Sequence, residues 1–136
     1  MHLSIDQAYL NQQLAAALAG RNEFKGMQPT LATQAPNAVI VTADVEVTVG
    51  NDTIKVHPVV TMQLYVEAGR IRTRVAGVNI GAANVPAMLI QTQIDWIERT
   101  MEEQANRISA AGLAGTGLKI IDVSASNTGL VVDLGP

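Results

Sequence analysis

The stretch that decides the fold is residues 84–109, NVPAMLIQTQIDWIERTMEEQANRIS. Ile90, Ile94, Ile97, Met101, Ala105 and Ile108 recur at spacings of three and four, which puts them on one stripe of an α-helix. Met88, Leu89 and Trp96 widen the stripe near its N-terminal half. Gln91, Gln93, Asp95, Glu98, Arg99, Glu102, Glu103 and Arg107 fall mostly off it. Asn84 supplies an N-cap, Pro86 fits the first turn and Gly112 supplies the stop. Such a helix spans roughly 39 Å at ~1.5 Å per residue. The strand-patterned segment Ala38–Val49 spans about 40 Å at ~3.3 Å per residue. A helix and strands of equal reach imply an extended sheet cradling one helix along its axis.

The flanking sequence supplies that sheet. Val39, Val41, Ala43, Val45, Val47 and Val49 face one way, and Thr42, Asp44, Glu46 and Thr48 the other. Gly50, Asn51 and Asp52 make a hairpin turn, after which Ile54, Val56, Pro58, Val60, Met62, Leu64 and Val66 repeat the inward row. Pro58 has no N–H for a ladder, so this second strand bends there. Ala68 and Gly69 close another hairpin into Arg70–Ile80, where Ile71, Thr73 and Val75 point inward. The alternation then slips to Val78 and Ile80, which places a bulge near Gly77.

Upstream, Ser4 and Gln7 form a capping box, and a first helix runs to about Leu18 with Leu10, Leu14, Ala17 and Leu18 as its stripe. A short edge strand, Met27–Ala35, carries Pro29 and ends at a Pro36–Asn37 turn. Lys119–Ala125 and Leu130–Leu134 form a closing hairpin. The expected fold is α+β in one domain, residues 1–136. A highly curved antiparallel sheet of about five to six strands wraps around the long helix of the C-terminal half, with a short N-terminal helix beside it.

Composition narrows the function. Hydrophobic residues make up 48% and charged residues 15%, too apolar for a disordered chain. Aromatics are only 3%, so Val, Ile, Leu, Ala and Met must build the interior. A net charge of -3 without any Lys/Arg run argues against nucleic-acid binding. The absence of cysteine excludes disulfides and thiolate metal sites. No stretch reaches the ~20 apolar residues of a membrane span, and no basic n-region and h-region open the chain.

No catalytic constellation emerges. The two histidines, His2 and His57, lie far apart in sequence, too few and too remote for a metal site. A Ser-His-Asp triad could be drawn only through His57 with Ser109, Ser124 or Ser126, and no nucleophile elbow supports one. Asp44 with Glu46, and Glu98 with Glu102 and Glu103, read as solvated faces rather than paired acid and base. Gly112, Gly115 and Gly117 before Lys119 follow a helix and precede a strand, the reverse of a phosphate loop. The expectation is a protein that is not an enzyme and needs no cofactor or metal.

Two features remain. Arg70, Arg72 and Arg74 share one strand face, about 7 Å apart successively, either as a guanidinium ladder for anionic head groups or as a solvated face paired with Glu67, Asp44 or Glu46. The aliphatic interior is either a close-packed core or a groove for a chain-like ligand. A close-packed core is what most proteins choose, but thin fillers such as Val and Ala facing a long helix can leave an opening between helix and sheet. Its walls would be Val45, Val47, Val60, Met62, Leu64, Ile90, Ile94, Ile97 and Met101.

The order of parts carries a family resemblance. A short helix with Tyr9-Leu10-Asn11 precedes alternating strands, and a strand through Val75, Val78 and Ile80 leads into a Val85-Pro86 helix start, a long amphipathic helix and a closing hairpin. This layout resembles the TULIP-type (tubular lipid-binding) domains, and is similar to small bacterial envelope members such as the mannan-maturation lipid-binding proteins of mycobacteria. The resemblance implies a curved sheet rolled around the long helix, holding acyl chains in an apolar slot. It also implies an envelope location behind a signal or anchor that this chain does not carry, peripheral membrane contact, and a full tube only on homodimerisation. The leading expectation is non-enzymatic binding or transport of a lipid or other long-chain hydrophobic ligand. The alternatives are a structural or protein-interaction domain with a filled core, in the cytoplasm if no signal was removed, and a cystatin-like fold with an enzyme pocket that no acid/base pair supports.

Overall fold

The computed structural model describes residues 1–19, 29–80 and 90–136, and the side chains of residues 47–49 fall outside that description. The described residues form, in chain order, β1 (His2–Asp6), α1 (Gln7–Ala19), β2 (Thr30–Gln34), β3 (Ala38–Thr42), β4 (Val45–Val49), β5 (Asp52–Val56), β6 (Val59–Glu67), β7 (Arg70–Asn79), α2 (Gln91–Leu113), β8 (Lys119–Ala125) and β9 (Gly129–Gly135). The class is α+β with antiparallel pairing. The strands fall into three hydrogen-bonded sheets rather than one: β2-β3-β6-β7, β1-β9-β8 and the pair β4-β5. They do not close into a barrel.

The alternating rows give one long hairpin. Thr42 lies opposite Val59 and Val45 opposite Val56, so the pairing keeps its register across an interruption at Ala43–Asp44 and His57–Pro58. Pro58 has no N–H to donate, which breaks the ladder in both strands. Ala43 N–H still reaches the Pro58 carbonyl at 3.2 Å. Residues 38–49 are therefore two strands in sequence, not one, and the cause sits in the partner strand. The inward row survives: Val39, Val41, Ala43, Val45, Val56, Pro58, Val60, Met62 and Leu64 are all buried. On β7 the register shifts as Thr61 pairs with Gly77 and Met62 with Val75. Ala76 is thus the extra residue of a bulge beside Gly77, and it returns Val78 to the inner side.

The N-terminus corrects the capping-box expectation. Leu3 and Ile5 alternate with Ser4 and pair with β9, so residues 2–6 are a strand. Helix α1 begins at Gln7, with Asp6 Oδ1 accepting the Ala8 N–H at 3.1 Å. Burial of Ile5 against β9 outweighs a local cap on Ser4. At the other end α2 runs through Gly112 to Leu113. The expected start at Asn84 and Pro86 lies outside the described residues.

Both edges of the four-stranded sheet are covered by helices through side chains. Along β7, the Ile71 N–H donates to Asn106 Oδ1 at 2.8 Å, the Thr73 N–H to Glu102 Oε2 at 3.0 Å and the Val75 N–H to Glu98 Oε2 at 3.1 Å. Alternate residues of an edge strand aim their N–H groups outward every ~6.6 Å, and every fourth residue of a helix recurs at ~6.0 Å, so the two repeats nearly match. Along β2, Leu31 N–H donates to Asn11 Oδ1 at 2.8 Å and Thr33 N–H to Gln7 Oε1 at 2.9 Å, the same device on α1. Thr33 and Thr73 each add their hydroxyl to the same oxygen, at 3.0 and 3.1 Å. The helices pack on each other, with Arg107 Nη2 donating to Gln13 Oε1 at 3.1 Å. Edge donors that would otherwise template strand addition are thereby satisfied.

The three-stranded sheet supplies Ile5, Val123, Ala125, Leu130, Val132 and Leu134 to the same hydrophobic cluster. Ala125 N–H donates to the Pro36 carbonyl at 2.7 Å and ties that sheet to the β2–β3 turn.

Candidate functional site

Of the expected groove residues, all but Val47 are buried core residues. Val45, Val60, Met62, Leu64, Ile90, Ile94, Ile97 and Met101 belong to one continuous cluster. They come from three directions: β4, the inner row of β6, and the stripe of α2. Their exposure runs from 0 to 2%, so helix and strands close on one another here. Val47 lies on β4, but its side chain is outside the described residues. Met62 and Met101 are the unbranched, adaptable side chains among these eight, and half-buried Trp96 packs against the same cluster.

Two polar atoms interrupt this apolar boundary. Gln93 Oε1 and Gln104 Oε1 are buried and accept no hydrogen bond. They lie about three turns apart on one flank of α2, away from the flank of Glu98, Glu102 and Asn106 that holds β7. An orphaned buried acceptor costs about 1–3 kcal/mol, so each is a position where a donor would be stabilising.

The carboxylates of α2 are not the solvated face expected. Glu98 and Glu102 are half-buried and hold the β7 edge; Glu103 is exposed. Burial pushes the Glu98 carboxyl above its ordinary range, the Val75 N–H opposes that shift, and the charges of Glu102 and Asp95 add to it. The arginines lie on the outer face of β7, as expected, but they are not equivalent. Arg72 Nη1 stands 3.6 Å from Glu102 Oε1, and Arg74 Nη2 donates to Gln63 Oε1 at 2.9 Å. Arg70 lies opposite Glu67 in the ladder.

The remaining candidates are engaged elsewhere. The His57 and Asp44 side chains meet beside the strand interruption, and His2 pairs with Asp133. Ser109 is buried and donates to the Ala105 carbonyl at 2.8 Å, Ser126 Oγ meets Thr128 Oγ1, and Ser124 is exposed on β8. Among the described residues no group of three or more His, Asp or Glu side chains is placed to hold a metal ion. No described helix is long and apolar enough to cross a membrane.

A concavity lies at the margin of the cluster, where Leu31 belongs to both. It is an open recess of about 420 Å³ where the start of α1, the start of β2 and the β8–β9 turn meet. Sequence reasoning missed it because its residues share no periodic pattern. The available signal was Gln7 and Asn11, polar residues four apart beside the Leu10–Leu14–Leu18 stripe, at the spacing of Glu98 and Glu102.

Compared with protein-family models and with curated proteins, the sequence matches none.

Proposed function

We propose that this domain binds a long-chain apolar ligand, such as a lipid acyl chain, between α2 and the sheets, and that it acts without catalysis. The observation that carries the reading is the placement of Met62, Leu64, Ile94, Ile97 and Met101 in one aliphatic cluster, with only Trp96 among the described rings packed against it, beside a helix fastened to its strand through side chains. Lifting such a helix from β7 breaks no backbone–backbone hydrogen bond, although it releases the Ile71, Thr73 and Val75 N–H groups, and non-directional aliphatic contacts re-form readily around a guest chain. Each buried CH₂ contributes roughly 0.8 kcal/mol, so part of one acyl chain binds usefully without a specific polar contact. Either Gln93 or Gln104, at its own level of α2, offers an acceptor for a hydroxyl or amide at the head of that chain.

The sheets wrapping around α2 in a TULIP-type arrangement, an envelope location, peripheral contact through Arg70, Arg72 and Arg74, and pairing of two copies into a longer tube all belong to this proposal. A second reading is a structural or interaction domain with a filled core, and the near-zero exposure of Val60, Met62 and Met101 favours it. Native mass spectrometry of the protein as purified separates the two. An adduct with the mass of a lipid, displaced by added fatty acid, supports the carrier. A bare mass that stays bare after incubation with lipid supports the filled core.

A further inference from the structure

The recess at the start of α1 has a chemistry unlike that of the interior. Its polar lining is Asp6, Gln7, Asn11, Thr30, Asn127 and Thr128, and its apolar remainder is Ala8 and Leu31. The edge-covering bonds use the carbonyl oxygens of Gln7 and Asn11, and among the described residues no hydrogen bond occupies their amide nitrogens. Two amide donors are thus held at the wall by the bonds that fasten β2. Asp6 spends Oδ1 on the Ala8 N–H and keeps Oδ2, and exposed Asn127 adds an acceptor and a donor. Among the described residues no Lys, Arg or His lines the recess, so there an anion would meet a carboxylate and no counter-charge.

From this lining we propose that the recess is a binding site for a neutral saccharide, distinct from the apolar interior. Hydroxyls on neighbouring carbons each need a donor and an acceptor at short spacing, which planar amides beside one carboxylate provide. The C–H face of the ring would lie on Ala8, which is exposed at the wall. A volume of about 420 Å³ is within the range of small-ligand sites and holds one or two sugar rings. The site does not depend on lipid binding and stands or falls separately.

The test is a titration of nitrogen-15-labelled protein with glucose, galactose and N-acetylglucosamine, followed by amide NMR, with arginine and inorganic phosphate as competing ligand classes. Saturable millimolar shifts centred on the Gln7, Asn11 and Asn127 side-chain amides are expected for at least one sugar. Asn127→Ala, at an exposed turn, should weaken that binding ~10-fold, as should Asp6→Asn, which keeps the helix cap. Saturation by arginine or phosphate but by no sugar would overturn the assignment. So would sugar shifts that persist unchanged in both variants, or no saturable shift with any of the three sugars.

Discussion

Replacing Asn106 with alanine tests how α2 is held to the sheet. Asn106 accepts the Ile71 N–H at 2.8 Å and donates to the Ile71 carbonyl at 2.8 Å, so one side chain closes both backbone groups of an edge residue. A third bond runs to the Glu102 carbonyl within the helix at 2.9 Å. Losing the two bonds to β7 costs about 1 kcal/mol each, and leaving part-buried Ile71 groups unpaired adds roughly 1 kcal/mol more. Alanine returns about 0.5 kcal/mol of helix propensity. The net loss is about 2.5 kcal/mol, which in a chain of this size lowers Tm by roughly 7–12 °C. Thermal unfolding gives the total, and amide hydrogen exchange locates it. The Ile71 amide should lose protection while Thr73 and Val75, held by Glu102 and Glu98, keep most of theirs. A Tm shift below about 1 °C with Ile71 as protected as before would refute the side-chain ladder as the device that fastens α2.

Three further outcomes follow from particular contacts. Ile94→Trp should abolish uptake of a fluorescent fatty acid with a stability loss under about 1 kcal/mol if the interior opens for a ligand; a loss of ~1–3 kcal/mol in a protein whose parent takes up no fatty acid would indicate a filled core. Because the folded-state pKa of Glu98 is raised, the folded protein holds that proton more tightly than the unfolded chain, so this contribution to stability is present below the ordinary carboxylate range and fades as pH rises through the folded value. Glu98→Gln, which keeps an acceptor for Val75, should therefore be more stable than the parent in urea unfolding at pH 7 and gain nothing at pH 4; the opposite order would place the carboxylate in a favourable site. Gly129→Ala would put a Cβ 2.1 Å from the Ile5 carbonyl oxygen and 3.1 Å from the Gln7 nitrogen, displacing β1. A cost of about 3 kcal/mol or more is expected in urea unfolding, and one below about 1 kcal/mol would mean that β1 does not sit against β9 as described.

What could be read from sequence follows the range of the physics. The rows from Val39 to Leu64, the bulge beside Gly77 and the stripe of α2 are written in periods of 2 and 3.6, so they were legible residue by residue. The break at Ala43–Asp44 was not, because its cause is Pro58 on the partner strand. Strand β1 was hidden behind Ser4 and Gln7, a capping pair by type whose glutamine is spent on the edge of β2. Glu98, Glu102 and Asn106 looked like a wet helix face because a side chain bonded to a distant backbone N–H leaves no local periodicity. The walls of the proposed apolar site were therefore readable, whereas the fastening of its helix and the polar recess depend on tertiary contacts.

Entry of an acyl chain between α2 and the sheets is tested most directly by methyl-labelled methionine NMR with a spin-labelled stearic acid, because Met62 and Met101 are 0% exposed whereas Met1 is 71% exposed and serves as an internal control. If the chain enters there, the Met62 and Met101 methyl signals broaden saturably at low ligand concentration while Met1 stays sharp. Broadening of Met1 alone, or of no methionine, would contradict it and leave the interior a closed core.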